Sequence, residues 1–166
     1  KPTLPSSFDR MATLSVREVV MTVDNITDYG YYYTWYSTYT SNTSTNNTDP
    51  CSKLNSTTYG TGWRTPSSNE LTKLSRCTNK VLTNGGMWFM NSGKGLFLPA
   101  AGYRNDNTGS GTSASSPAGT YGFYWSNDAF NASFGYNLYF GSGSAYVDSN
   151  VKTHGFSVRC AKGTKQ

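Results

Sequence analysis

The sequence predicts an α+β fold: one or two helices, short antiparallel strands and much irregular loop. The prediction rests on one strongly capped amphipathic segment and on several short aromatic and β-branched runs set between Gly-, Ser- and Asn-rich stretches. Helical periodicity is weak everywhere else. At 166 residues the chain has the length of one domain.

Residues 1–28 carry no motif and are expected to pack on the domain formed by 29–166. Within them, "TLSVREVVMTV" at 11–21 reads equally as helix or strand. "GYYYTWYSTYT" (30–40) reads as a strand, followed by the low-complexity loop "TSNTSTNNTD" (40–49). "TPSSNELTKLSRC" is the best helix, at about 67–78. Ser67 caps it, and Glu70 three residues on completes a capping box just after Pro66. Leu71, Leu74 and Cys77 share one face at a spacing of three. "MWFMN" and "LFLPA" flank Ser92 to Gly95 and predict a hairpin. "NDNTGSGTSASSPAGT" (105–120) is a second loop. "YGFYWS", "YNLYFG" and "GFSVRC" follow as strands, and in the last Phe156, Val158 and Cys160 alternate with Ser157 and Arg159.

Composition narrows the function classes. Charged residues make up 14% and aromatic residues 15%, beside 22 Ser, 22 Thr and 15 Asn, so the chain is polar through hydroxyls and amides rather than charge. Its 14 Lys and Arg run from Lys1 to Lys165 without clustering, which argues against a nucleic-acid partner. No apolar run nears the ~20 residues of a membrane span, so direct membrane insertion is not expected. The first residues carry no leader and read as a mature or trimmed start. Three cysteines permit one disulfide and a free thiol, or none, and without a CxxC no zinc site is expected.

Several phrases in fixed order carry a resemblance: "DPC" (49–51), "GWRTPSSNEL" (62–71), "LPAAGYR" (98–104), "GFYWS" (122–126), "NLYF" (137–140) and "HGFSVRC" (154–160). Over about residues 29–162 the chain resembles the Fibrobacter succinogenes major paralogous domain, a C-type-lectin-like module of bacterial surface proteins. It is also similar to the variable proteins of diversity-generating retroelements. The resemblance implies a C-type-lectin-like fold, a Cys51–Cys160 disulfide, and a core containing Trp63, Trp125, Leu138, Phe140, Val147, Phe156 and Val158. It implies a binding module rather than an enzyme, placed outside the cell on a bacterial surface or phage particle. Its partner would be a protein or glycan on a host or neighbouring cell.

In such variable proteins, adenines of Asn codons are randomised, and the resulting codons never encode Lys, Glu, Gln, Met or Trp. Residues 126–151 contain none of the five, and Lys152 must then be a fixed position. Tyr, Ser, Gly and Asn are also the residues of antibody paratopes. The expected variable region is therefore about 126–154. Its expected ligand-binding residues are Asn127, Asp128, Phe130, Asn131, Ser133, Phe134, Tyr136, Tyr139, Ser142, Ser144, Tyr146, Asp148, Asn150 and His154. The competing expectations are a non-diversified cell-surface adhesin domain and a structural assembly domain.

Catalytic and metal chemistry find little support. "WSND" (125–128) is similar to the Trp-Asn-Asp calcium motif of sugar-binding lectins, but a Ser intervenes and the companion proline loop is missing, so no metal is expected. A single histidine leaves no triad, no phosphate loop is present, and no cofactor is expected.

Overall fold

The computed structural model describes residue 35 and residues 49–54, 59–83, 85–91, 94–104, 114–116 and 119–166. The expected packing of 1–28, the 11–21 segment and nearly all of the 30–40 strand lie outside the described residues. Within them the chain begins with a 3-10 turn (Pro50–Leu54), β1 (Trp63–Arg64) and α1 (Ser68–Ser75). Then come β2 (Asn79–Thr83), β3 (Gly86–Asn91), β4 (Lys94–Pro99), β5 (Tyr103–Arg104) and β6 (Ala114–Ser116). The last four are β7 (Gly122–Ala129), β8 (Phe134–Gly141), β9 (Ser144–Val151) and β10 (Ala161–Lys162).

These strands form antiparallel sheets in the orders β1-β10, β2-β3-β4, β5-β6 and β7-β8-β9. One eight-residue α-helix stands among ten strands in the described residues, so the α+β class expected from the sequence is corrected to a β-rich one. The expectation failed because β2 and β9 look like loops on paper. "NKVLT" and "SAYVDSNV" expose every second residue along most of their length, Asn79, Val81 and Thr83 in the first and Ser144, Tyr146 and Asp148 in the second. "GFSVRC" is corrected too. Gly155 and Ser157 make single bridges to Arg104 and Tyr124, and no continuous strand forms.

The local signals explain α1. Ser67 Oγ accepts from Glu70 N–H at 3.0 Å, and the Glu70 carboxylate accepts from Ser67 N–H at 2.8 Å, which closes the capping box. Arg64 on β1 donates two 2.7 Å hydrogen bonds to the same carboxylate, which is fully buried. Just upstream, buried Asp49 accepts from Cys51 N–H, Thr65 N–H and Thr65 Oγ1 at 2.8–2.9 Å. That ties the 3-10 turn to the segment entering the helix.

The β7-β8-β9 sheet is a middle layer. On one face Tyr124, Leu138 and Phe140, with Val147 at their side, join Leu71 and Leu74 of α1 and Phe89, Leu96 and Leu98 of β3 and β4. On the other face Trp125 stacks on Phe156 at 4.2 Å and joins Trp35, Tyr103, Phe123 and Val158 in a second cluster. Each fully buried Leu or Phe contributes about 1.5–3 kcal/mol. Trp63, Trp125, Leu138, Phe140 and Phe156 are buried, and Val147 and Val158 are partly buried against the two clusters.

Cys51 and Cys160 form a disulfide, with Cα atoms 5.4 Å apart at a sequence separation of 109. Cys77 is a buried free thiol. Closing a loop this long contributes about 4–5 kcal/mol on the chain-entropy account. Replacing Cys51 and Cys160 together by Ser should therefore lower unfolding stability by several kcal/mol in urea, while Cys77→Ala should leave the bridge intact in non-reducing peptide maps. An unfolding midpoint unmoved by loss of the bridge would contradict this.

Candidate functional site

Register decides which candidate residues share a surface. In the β8–β9 ladder Tyr139 pairs with Tyr146, Asn137 with Asp148, and Gly135 with Asn150. Opposed residues lie on the same side of a sheet, so Tyr139, Ser144, Tyr146, Asp148 and Asn150 occupy one face. Leu138, Phe140 and Val147 occupy the other, against the core. On the first face the rings form a row across all three strands. Phe123 meets Tyr139 at 5.2 Å, Tyr139 meets Tyr146 at 5.0 Å, and Tyr121 stacks on Tyr139 at 5.9 Å. Tyr146 is 49% exposed.

The remaining candidates do not join this face. Phe134 and Tyr136 have the parity of Leu138, so they sit at the far end of the opposite face, where Tyr136 meets Phe130 edge-on at 5.4 Å. Asn131 and Ser133 belong to the β7–β8 turn, whose chain reversal Asn131 stabilises by accepting from the amides of Ser133 and Phe134. Ser142 has φ 50° and Gly143 φ 80° in the two-residue β8–β9 turn, both in the region such hairpins require. Asn127 N–H donates to Pro66 O. Asp128 accepts from Ser68 N–H and Oγ and pairs with Lys165. Burial alone would raise the Asp128 carboxyl, but Lys165 and the Ser68 donors outweigh it and hold it below the usual range.

His154 is half-buried between Tyr103 and Phe156, and its Nδ1 is buried without a hydrogen-bond partner. Burial pushes its pKa down. The Tyr139 hydroxyl is pushed up, first by burial and then by Tyr146 and Tyr121.

Three frame residues support the aromatic face. Lys152 is buried; its Nζ donates to the carbonyls of Asn131 and Ala132 at 2.7 and 3.0 Å and lies 4.2 Å from the Trp35 ring centroid. It clamps the β7–β8 turn to the end of β9. Gly135 lies under Trp35, where an added Cβ would meet Cδ1 at 2.2 Å. Asn137, fully buried between the paired Trp125 and Asp148, accepts from Asn150 Nδ2 at 2.9 Å. Of these and the added rings Tyr121 and Phe123, Lys152 was marked in the sequence by falling outside the randomised codon set, and Gly135 carries a readable sign because a strand-interior glycine marks close approach.

Fold and face together define a β-rich, disulfide-tied domain with one sheet face given to aromatic rings and amides. Residues 78–161, half of the chain, match a domain of unknown function, DUF8237, and the chain belongs to that family. No curated protein and no solved structure matches it.

Gly135→Ala should cost about 1–3 kcal/mol, as overpacking does, with a change in near-ultraviolet dichroism as Trp35 is displaced. A neutral outcome would mean that Trp35 moves freely.

The one histidine sets a pH dependence. Its folded pKa lies below the unfolded value near 6.5, so the folded state binds fewer protons between the two. The contribution is fully present above pH 6.5 and is lost as pH falls through that value towards the folded pKa. Urea midpoints from pH 7.5 to 5 should fall for the native chain and fall less for His154→Gln; parallel curves would contradict the assignment.

Proposed function

We propose that the domain is a ligand-binding module displaying a diversified aromatic, Asn, Ser and Gly face for receptor recognition, as the variable proteins of diversity-generating retroelements do. The observation that carries the reading is the separation of face from core. Tyr139, Tyr146, Asp148 and Asn150 lie on one side of β8–β9, while the residues that bind the sheet to α1 lie on the other. Side chains at the exposed positions Ser144, Tyr146 and Asp148 can change without altering the core against α1, while Phe123, Trp125 and Phe156 pack on the rest of the same face. The buried Lys152, the one residue of 126–154 that falls outside the randomised codon set, has a structural duty that fits a fixed position. Large rings give contact area at small entropic cost, and Asn, Ser and Asp give adaptable hydrogen bonding.

The disulfide fits an oxidising compartment. In this reading the domain stands outside the cell, on a bacterial surface or phage particle, and meets a protein or glycan of a host or neighbouring cell. Phe130, Phe134 and Tyr136, at the end of the opposite sheet face, form a second group of rings. They extend the contact surface around the β7–β8 turn.

A paired scan tests the proposal. Tyr146→Ala and Asp148→Ala should leave stability within about ±0.5 kcal/mol and weaken capture of a partner selected from arrayed cell-surface proteins and glycans. Phe156→Ala should cost about 3–5 kcal/mol, as loss of a buried ring does. If the face variants unfold the protein, the face is core and the reading fails. If they abolish concentration-dependent self-association instead, the domain is an assembly module. A near-copy of the 3′ coding end beside a reverse transcriptase separates a diversified face from a fixed adhesin.

A further inference from the structure

The β7-β8-β9 sheet has one sealed edge and one open edge. The two-residue β8–β9 turn closes on the pair of Gly141 with Ser144. Hydrogen-bonded pairs then recur at Tyr139 with Tyr146, Asn137 with Asp148 and Gly135 with Asn150. The residues between them turn their amides and carbonyls away from β8. By the same alternation Phe123 and Trp125 face outward on β7, and Ser157 seals them. Its N–H donates to Phe123 O and its carbonyl accepts from Trp125 N–H, both at 3.0 Å. Among the described residues nothing comparable covers β9. There the amides and carbonyls of Ala145 and Val147 meet no partner among those residues, and the Ser149 amide meets the Asp148 carboxylate at 2.8 Å.

The open edge is eight residues long (Ser144–Val151), and its register with β8 runs without a break. It carries no Pro, no Lys and no bulge, the devices that blunt an edge. Unpaired amides and carbonyls at strand spacing are answered by another extended backbone. The pattern here selects a second copy of β9. Ala145, Val147 and Ser149 are symmetric about Val147. A two-fold axis at that residue pairs Val147 with its equivalent and Ala145 with Ser149 of the second copy, antiparallel. Tyr146 then falls opposite Asp148 of the second copy and Ser144 opposite Asn150, at the closer, non-hydrogen-bonded positions. A phenol there faces a carboxylate, and no like charges meet. An axis at Asp148 would set two carboxylates against each other, which is destabilising. An axis at Ser149 would need the backbone of Val151, whose carbonyl already accepts from His154 N–H. An axis at Tyr146 would leave Ser149 opposite Gly143 of the turn.

We propose that two copies of this chain associate through the β9 edge. The Ser149 amide exchanges the Asp148 carboxylate for Ala145 O of the second copy, and that carboxylate takes the Tyr146 hydroxyl across the axis. The two three-stranded sheets become one, with both aromatic faces on the same side. A receptor with repeated epitopes then meets two faces at once, which raises avidity. The edge is backbone, so the pairing does not depend on the face binding a receptor. One strand pair buries less than the ~1,200 Å² of stable interfaces, so the dimer is weak and reversible.

Sedimentation equilibrium of the full chain from about 10 μM to about 1 mM should show a reversible monomer–dimer equilibrium, as expected of an interface this small. Hydrogen exchange read residue by residue locates the contact without any substitution. The amides of Ala145, Val147 and Ser149 should slow about threefold or more from the dilute to the concentrated end, while those of Phe123 and Trp125 at the sealed edge should not change. Ala145→Pro removes an outward amide, leaves the β8 ladder intact and should abolish dimerisation. Its melting curve checks the fold, and Ser149→Pro replaces it if it does not fold. Tyr146→Ala should weaken the dimer about three- to tenfold, as loss of a cross-strand pair on each side of the axis does. A monomer throughout the range, or exchange at the β9 edge amides that ignores concentration, overturns the proposal. So does a folded proline variant that dimerises like the native chain. If Tyr146→Ala abolishes association while the proline variant keeps it, the rings and not the edge assemble the chain, and the proposal is overturned while the display reading is tested separately by receptor capture.

Discussion

One buried carboxylate organises this domain. Glu70 is fully enclosed, and a charge so placed is tolerated only when every lone pair is answered. It is answered by two guanidinium hydrogen bonds from Arg64 and by the amide of Ser67. Removing either partner of such a pair costs about 3–5 kcal/mol, because the remaining charge stays buried. The geometry has consequences at a distance. Arg64 belongs to β1, which pairs with β10 near the disulfide, and it also donates to the carbonyls of Gly163 and Thr164. Glu70 therefore fastens the start of α1 to β1 and, through Arg64, to the C-terminal end of the chain.

A helix fixed in that way can serve as a lid for one sheet face only. Leu71 and Leu74 cover Leu138 and Phe140, so the parity of β8 is settled by the core. A one-residue slip would send Tyr139 inward and Leu138 outward. The display face follows from this: Tyr139, Tyr146, Asp148 and Asn150 are where they are because their neighbours are needed elsewhere. Trp35, Lys152 and Gly135 then secure the end of the sheet where register is most easily lost.

Local signals were legible and long-range ones were not. The capping box announced α1, although the helix ends at Ser75 rather than 78, where Arg76 takes the C-cap and Cys77 N–H turns back to Leu74 O. The 87–100 hairpin and the β7 and β8 strands were also readable, because aromatic and β-branched runs mark strands. The Cys51–Cys160 bridge came from the family resemblance, since three cysteines alone leave the pairing open. β9 was missed because a half-exposed strand rich in Asn, Ser and Asp has no propensity of its own. In β9 only its partner makes it a strand, and β2 is too short a run, with just Val81 and Thr83 β-branched, to stand out. The candidate residues were misjudged as one surface for a related reason. Composition gathers Phe134, Tyr136, Tyr139 and Tyr146 into one stretch, but alternation sends two of them to each side.

Asp128 and Lys152 show how the same segment can hold both frame and face. By composition both are polar residues of a loop-like region. In the fold, the Asp128 carboxylate takes the first amide of α1 and meets Lys165, so it belongs to the helix N-terminus and complements its dipole. Lys152 stays buried by answering two carbonyls of the turn that precedes β8. Neither is available to vary without loosening the sheet. A polar residue in this segment is therefore assigned by what its hydrogen bonds hold. Tyr146, with its ring half in solvent and, among the described residues, only Tyr139 as a ring neighbour, holds nothing that the described fold requires. That difference in mechanical duty, more than residue type, is what separates a display position from a structural one.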